Sequence, residues 1–136
     1  MSKESEKAKF NNKIYGNGSG FLRAVKALQC SLLGFKAAFQ HESAFRQELA
    51  LSLFFIPYGI WLGENVTQKI LLITLVIIVL IVELLNSAIE AVVDRVGLEY
   101  HELSGRAKDL GSAAVFLSLV LTGVSYLYLS YLRFFN

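Results

Sequence analysis

Two carboxylates and an amide lie within an otherwise apolar segment: Glu83, Asn86 and Glu90 follow the apolar residues 70–82. They fall three and seven residues apart, so a helix with about 3.6 residues per turn presents all of them on one face. Ionisable groups at membrane depth are costly, and they usually face a polar interior and mark a functional site. The segment therefore predicts a transmembrane helix whose polar face serves the function of the protein.

The apolar stretches predict three transmembrane helices, over residues 48–63, 70–93 and 113–132. With 54% hydrophobic and 18% charged residues, the chain is too apolar for an ordinary soluble domain. The first stretch has an apolar core shorter than the ~20 residues of a usual span, so it needs the preceding turn or a locally thin bilayer. A chain of 136 residues has little lateral surface to bury. We therefore expect an all-α integral-membrane bundle built from several copies.

The N-terminal part is polar over residues 1–20, where we expect a flexible leader. Residues 21–46 predict a surface helix and turn, because apolar residues recur at steps of three and four from Leu22 to Phe39 and most of the basic residues fall on the other side. This pattern is typical of a helix lying in the membrane interface. A soluble amphipathic helix packed on a partner is the alternative.

The distribution of Lys and Arg predicts the orientation in the membrane. Eight of the thirteen precede residue 47 and three follow the second predicted span, whereas the first connection and the C-terminus carry one each. Because positively charged segments stay on the cytoplasmic side, we expect a cytoplasmic N-terminus, a cytoplasmic loop over residues 94–112 and a C-terminus outside. The basic N-terminal part fits anionic headgroups or phosphates; no nucleic-acid-binding motif is recognisable, and we expect no nucleic acid as partner.

This topology places Glu42, Glu83, Glu90 and the segment 106–109, which contains Lys108 and Asp109, on the side of the membrane where ATP is found. A carboxylate near the membrane boundary can act as general base toward a lipid hydroxyl, and a second one can bind the Mg²⁺ of a nucleotide. Lys108 can neutralise phosphate charge, and Asp109 can hold ribose, metal or Lys108 itself. These parts suffice for phosphoryl transfer. The carboxylates also suit a small proton-coupled transporter or a structural pair, and the residues alone leave enzyme and transporter open.

The stretch VELLNSAIEAVVDRVGLEYHELSGRAKDLGSAAV, residues 82–115, closely resembles the prokaryotic diacylglycerol kinase family of small integral-membrane lipid kinases. ELLNSAIE with a downstream AKD is the signature shared by that family. The segment GLEYHELSGRAKDLGSAAV is similar to the Gram-negative diacylglycerol kinase branch rather than to the Gram-positive undecaprenol kinase branch. Residues 42–48, ESAFRQE, resemble the turn between the surface helix and the first span of the family.

The resemblance implies a homotrimer with an N-terminal interface helix and three spans in each chain, and with active sites between subunits at the cytoplasmic face of the bacterial inner membrane. It implies transfer of the γ-phosphate of Mg·ATP to the primary hydroxyl of 1,2-diacylglycerol, giving phosphatidic acid. We expect this transfer to be direct, without a phosphoenzyme, because the sequence shows no obvious activated nucleophile beside the carboxylates. An undecaprenol kinase of the same family is the alternative. The resemblance makes Glu83 the general base, places Asn86 near the reacting groups, and makes Glu42 and Glu90 the Mg²⁺ ligands.

The resemblance also implies a set of nucleotide and lipid contacts. The residues implied for ATP are Arg23, Cys30, Glu42, Glu90, Glu99, Tyr100, His101, Lys108 and Asp109. The residues implied for the lipid are Arg23, Ala44, Phe45, Arg46, Gln47, Glu83 and Ser112. The chain departs from the best-known members at Cys30, where they carry tyrosine, and at His41, where they carry asparagine. The carboxylate set is intact.

Overall fold

The computed structural model describes residues 20–97, 99 and 101–135, and within them the chain forms helices joined by short connections. The helices are α1 (Phe21–His41), α2 (Ser43–Leu62), α3 (Val66–Val96) and α4 (Glu102–Phe135). The all-α prediction is confirmed. The predicted leader lies outside the described residues except for Gly20, which precedes α1. The helix α1 belongs to one compact unit, and α2, α3 and α4 form a second.

The helix α1 covers the predicted surface helix, but the turn is shorter than expected. Glu42 alone interrupts the helical backbone, with φ −106° and ψ 113°. The backbone N–H of Arg46 already donates to the carbonyl of Glu42 at 3.4 Å, so α2 begins directly after this residue. The predicted turn residues 43–46 therefore lie in the first turn of α2.

The helix α3 packs against both α2 and α4. Its N-terminus is capped by Asn65, whose side chain accepts a hydrogen bond from the backbone N–H of Gln68 at 2.9 Å. The core at this end combines Leu62 of α2, Leu72 and Val76 of α3, and Tyr126 of α4. The Tyr126 hydroxyl donates to the carbonyl of Phe55 at 2.8 Å, which ties α4 to α2 inside the core.

The ends of α2 and α4 meet beside this core. The guanidinium of Arg133 lies 3.2 Å from Oε1 of Glu64 and 5.6 Å from the ring centroid of Trp61. The hydroxyls of Tyr58 and Ser130 are 2.9 Å apart. Aromatic and cationic side chains of this kind are typical of a membrane–water interface.

Two of the described helices, α3 and α4, are long and apolar enough to cross a membrane. The helix α2, predicted as the first span, is not among them; Arg46 and Glu48 in its first two turns shorten its apolar part. The membrane character of the fold is confirmed. A third span through α2 stays a prediction.

The predicted loop over residues 94–112 is mostly helical. The helix α3 continues to Val96, and α4 begins at Glu102. The Nδ1 of His101 accepts a hydrogen bond from the backbone N–H of Leu103 at 3.2 Å. This bond satisfies one of the backbone N–H groups that have no partner within the first turn of α4. Glu102 places a negative charge in the first turn, where the helix dipole favours it. The prediction was wrong because a polar sequence after a span can continue as a helix beyond the bilayer.

Candidate active site

The polar residues of α3 form one stripe in the structure, as their spacing predicts. Glu83 is 4% exposed and Asn86 is 9% exposed, and Glu90 is half-buried. The Asn86 Nδ2 donates to Oε1 of Glu90 at 3.0 Å. The amide thus holds the carboxylate one turn further along the helix.

The helix α4 approaches this stripe at Gly111, which is buried. A Cβ at residue 111 would overlap Oδ1 of Asn86, so only a glycine leaves the room that the amide occupies. The Oδ1 of Asn86 and the hydroxyl of Ser87 are buried and have no hydrogen-bond partner among the described residues. The stripe therefore contains buried polar atoms that the described residues leave without a hydrogen bond.

The structure places three further carboxylates near Glu83. Those of Glu42, Glu48 and Glu90 each lie close enough to interact electrostatically with it. The carboxylate of Glu42, at the start of α2, is not used to cap that helix. Like charges repel, so this cluster favours a cation or a proton between its members. Glu42, Glu83 and Glu90 were predicted to act together, and the structure brings them together.

Glu48 is a carboxylate near Glu83 to which the sequence analysis assigned no role. It lines a groove of about 130 Å³ between α2, α3 and α4, where the other lining residues include Ser52, Val79, Thr122 and Tyr126. One of its carboxylate oxygens is buried without a partner in the described part of the chain. The sequence signal was a carboxylate at the start of a predicted span, but nothing local showed that it faces Glu83.

Asp94 is a second residue that the sequence analysis left without a role. The ammonium of Lys108 lies 2.6 Å from its Oδ1. Lys108 stands before the apolar part of α4, and its hydrogen bond to Asp94 raises the pKa of the ammonium above its usual value. The lysine therefore stays charged at neutral pH. The sequence signal for Asp94 was its position one turn beyond Glu90 on the polar face of α3.

A depression of about 180 Å³ lies beside this ion pair. It is lined by residues at the end of α3, in the connection and at the start of α4: Val93, Asp94, Gly97, Glu99, His101, Ser104, Gly105 and Lys108. The structure thus brings together Glu99, His101 and Lys108, which were predicted to contact the nucleotide. Tyr100, predicted with them, lies outside the described residues.

The remaining predicted residues lie on α1, α2 and α4 and differ in how far they are buried. Phe45 is 3% exposed. The exposed residues are Ala44, Arg46, Gln47, Asp109 and Ser112. Arg23 is exposed and Cys30 is half-buried on α1, which belongs to the other unit. The ligand roles of all these residues stay predictions.

The donor set fits a magnesium ion that arrives with a nucleotide. Among the described residues, no three or more His, Cys, Asp or Glu side chains converge as ligands. Mg²⁺ commonly takes only one or two carboxylates and completes its coordination with phosphate oxygens and water. Glu90 is oriented by Asn86, and Glu42 lies in the same cluster, so both are suited to that role.

The chain matches the family model of the prokaryotic diacylglycerol kinases over residues 29–129. It is 48% identical over 118 residues to the diacylglycerol kinase of Escherichia coli, which covers 87% of this chain and 97% of that protein. It is 49% identical over 106 residues to the diacylglycerol kinase of Haemophilus influenzae, and the match covers 78% of this chain and 90% of that protein. It is 44% identical over 101 residues to the diacylglycerol kinase of Helicobacter pylori, and the match covers 74% of this chain and 79% of that protein. The chain belongs to the prokaryotic diacylglycerol kinase family.

Proposed function

We propose that this protein is an ATP-dependent diacylglycerol kinase, which transfers the γ-phosphate of Mg·ATP to the primary hydroxyl of 1,2-diacylglycerol and releases phosphatidic acid and ADP. Membership of the family supports the reaction. The observation that carries the mechanism is the carboxylate cluster around Glu83, because Glu83 lies on the polar face of a helix that is long and apolar enough to cross a membrane. A lipid hydroxyl at the membrane boundary can reach such a group.

Glu83 acts as the general base. Its carboxylate accepts the proton of the lipid hydroxyl while the hydroxyl oxygen attacks the γ-phosphorus and the bond to ADP breaks. The buried position of Glu83, which is 4% exposed, excludes most of the water that would compete as an acceptor. A positioned base of this kind contributes roughly 10²–10⁴-fold to a rate.

The nucleotide lies over the depression beside Lys108. Lys108 neutralises phosphate charge, and Asp109 is the next residue along α4. Glu99 and His101 contact the nucleoside. Glu90 and Glu42 would hold the Mg²⁺ that arrives with the nucleotide, and the ion would supply positive charge beside the phosphates. Arg23, Cys30 and Tyr100 complete the proposed nucleotide contacts. Ala44, Phe45, Arg46, Gln47 and Ser112 provide the proposed lipid contacts.

The phosphate moves directly from ATP to the lipid. The described groups around Glu83 are carboxylates, the Asn86 amide and the Ser87 hydroxyl. That hydroxyl has no hydrogen-bond partner among the described residues, so no base is in contact with it to activate it as a nucleophile. Direct transfer predicts that the enzyme incubated with labelled Mg·ATP and no lipid retains no covalent label. An isolated phosphoprotein that passes its label to diacylglycerol at the rate of turnover would refute this step.

The functional assembly is a homotrimer in the bacterial inner membrane. Each chain crosses three times, through α2, α3 and α4, while α1 lies in the cytoplasmic interface and the C-terminus is periplasmic. The Lys and Arg distribution supports this orientation. Active sites lie between subunits at the cytoplasmic surface. Chemical crosslinking of the purified protein in detergent, with a ladder that ends at three chains, tests the trimer.

The test of the reaction is phosphate transfer from labelled Mg·ATP in mixed micelles, with diacylglycerol and undecaprenol supplied separately. Label moving chiefly into phosphatidic acid supports the proposal. Label moving chiefly into undecaprenyl phosphate keeps the mechanism and replaces the substrate. No label in either lipid, from a folded oligomer, overturns the kinase and favours a proton-coupled transporter. The Glu83→Gln protein serves as the blank.

A further inference from the structure

Asn86 is held from two sides. Its Nδ2 donates to Oε1 of Glu90 at 3.0 Å, and its Oδ1 lies against Gly111 of the neighbouring helix α4. The side chain is 9% exposed, so it has little space in which to take another orientation. The position of the amide therefore depends on the close approach of α4 at residue 111.

A methyl group at residue 111 would displace the Asn86 amide from this position. It would overlap Oδ1 of Asn86 and stand 3.3 Å from its Cγ. The group that must move is the Asn86 carboxamide, since the backbone of Gly111 is held within α4 (Glu102–Phe135). Displacing the carboxamide breaks its hydrogen bond to Glu90.

We propose that Gly111 is a positioning residue for Glu90 and acts through Asn86. The inference rests on the proposed role of Glu90 as a ligand of the nucleotide-bound Mg²⁺. The amide engages one carboxylate oxygen of Glu90 and sets the rotation of the carboxylate, which leaves the other oxygen to face the metal. Partners that orient a metal ligand in this way are typically worth about 10–100-fold in metal affinity.

The chain offers two matched glycine controls. A Cβ at Gly59 would be as crowded, 2.5 Å from the Tyr126 hydroxyl and 3.1 Å from Cβ of Leu72, but these neighbours belong to the core and not to the Asn86–Glu90 pair. A Cβ at Gly123 of α4 meets nothing within 4 Å. Gly59→Ala thus reports the cost of a steric overlap between helices, and Gly123→Ala reports the effect of a methyl group on α4.

The experiment measures binding of Mn²⁺ by electron paramagnetic resonance, with the full-length protein in detergent and a non-hydrolysable ATP analogue present. We expect Gly111→Ala to weaken Mn²⁺ binding about 10-fold or more and to raise the Mg²⁺ concentration needed for half-maximal activity. Gly59→Ala and Gly123→Ala keep the affinity of the parent protein. Equal affinity in Gly111→Ala and the parent, or an equal loss in Gly59→Ala, overturns the inference.

A double-mutant cycle separates action through Asn86 from a general packing effect. We expect Asn86→Ala to weaken Mn²⁺ binding as much as Gly111→Ala does. The double variant, which carries both substitutions, should bind Mn²⁺ no more weakly than the Asn86→Ala protein does. The double variant has room for the new methyl group, so it tests the inference even where Gly111→Ala does not fold. Unchanged binding in Asn86→Ala, or additive losses, overturns the inference. Unchanged binding in Glu90→Gln instead removes the metal role on which it rests.

Discussion

The ammonium of Lys108 lies 2.6 Å from Oδ1 of Asp94 and joins α4 to α3 beside the proposed nucleotide depression. The two side chains are 38% and 52% exposed, and exposed ion pairs of this kind add little to folding. The main effect of the contact is therefore to fix the position of the Lys108 ammonium. Neither residue lies in a loop, because both helices extend beyond the apolar segments.

We predict that Lys108→Met raises the KM for Mg·ATP about tenfold, the loss of roughly one charge-assisted hydrogen bond to phosphate. Asp94→Asn changes this KM less, because the ammonium remains and the asparagine can still accept its hydrogen bond. The measurement is initial velocity against Mg·ATP at saturating diacylglycerol. Lys69→Met, at the start of α3, is the control and keeps the parent KM. An Asp94→Asn effect equal to that of Lys108→Met would contradict this division of roles.

We predict that Glu83→Gln lowers kcat by roughly 10²–10⁴-fold and leaves nucleotide affinity within about a factor of three, since a base acts in the chemical step. Equilibrium binding of a fluorescent ATP analogue gives the affinity, and phosphatidic acid formation gives kcat. Glu90→Gln is the contrast, with loss of both rate and Mg·ATP affinity. Near-normal turnover in an oligomeric Glu83→Gln protein would exclude the role of base.

We predict that Tyr126→Phe lowers the free energy of unfolding by about 0.5–1.5 kcal/mol, because the Phe55 carbonyl loses its 2.8 Å hydrogen bond. The ring stays in the core, so activity per folded molecule is unchanged. Tyr128→Phe is the matched control: this side chain is 62% exposed, and its substitution costs less than about 0.5 kcal/mol. Denaturation in mixed micelles with increasing SDS gives both values. Equal stability of the two variants would show that the buried hydroxyl contributes nothing.

We predict that Leu72→Ala destabilises the bundle by about 2 kcal/mol or more, since the side chain is 0% exposed and its loss leaves a cavity. The loss lies at the low end of the usual range because lipid solvates a leucine almost as well as the protein core does. Leu71→Ala, at a side chain that is 48% exposed, is the control. The same denaturation series measures both. A smaller effect at Leu72 than at Leu71 would contradict the observed packing.

The sequence predicted the helical class, the polar face of α3 and the family, because each of these has a local signal. The spacing of Glu83, Asn86 and Glu90 determines their common face in any helix. The prediction of a loop over residues 94–112 was wrong because the polarity of a segment is not a signal for the end of a helix. Polarity marks where the membrane ends, whereas the capping of α4 by His101 and the continuation of α3 to Val96 determine where the helices end.

The sequence by itself determined which residues share one helix face and which family signature the chain carries. Only the tertiary structure decided that Gly111 faces Asn86, that Glu48 lies near Glu83 and that Asp94 pairs with Lys108. Periodicity describes one helix at a time. The register between two helices is set by packing along their whole length, here by the core contacts of Leu72 and Tyr126 and by the close approach of Gly111 to Asn86, and no short segment of sequence encodes it.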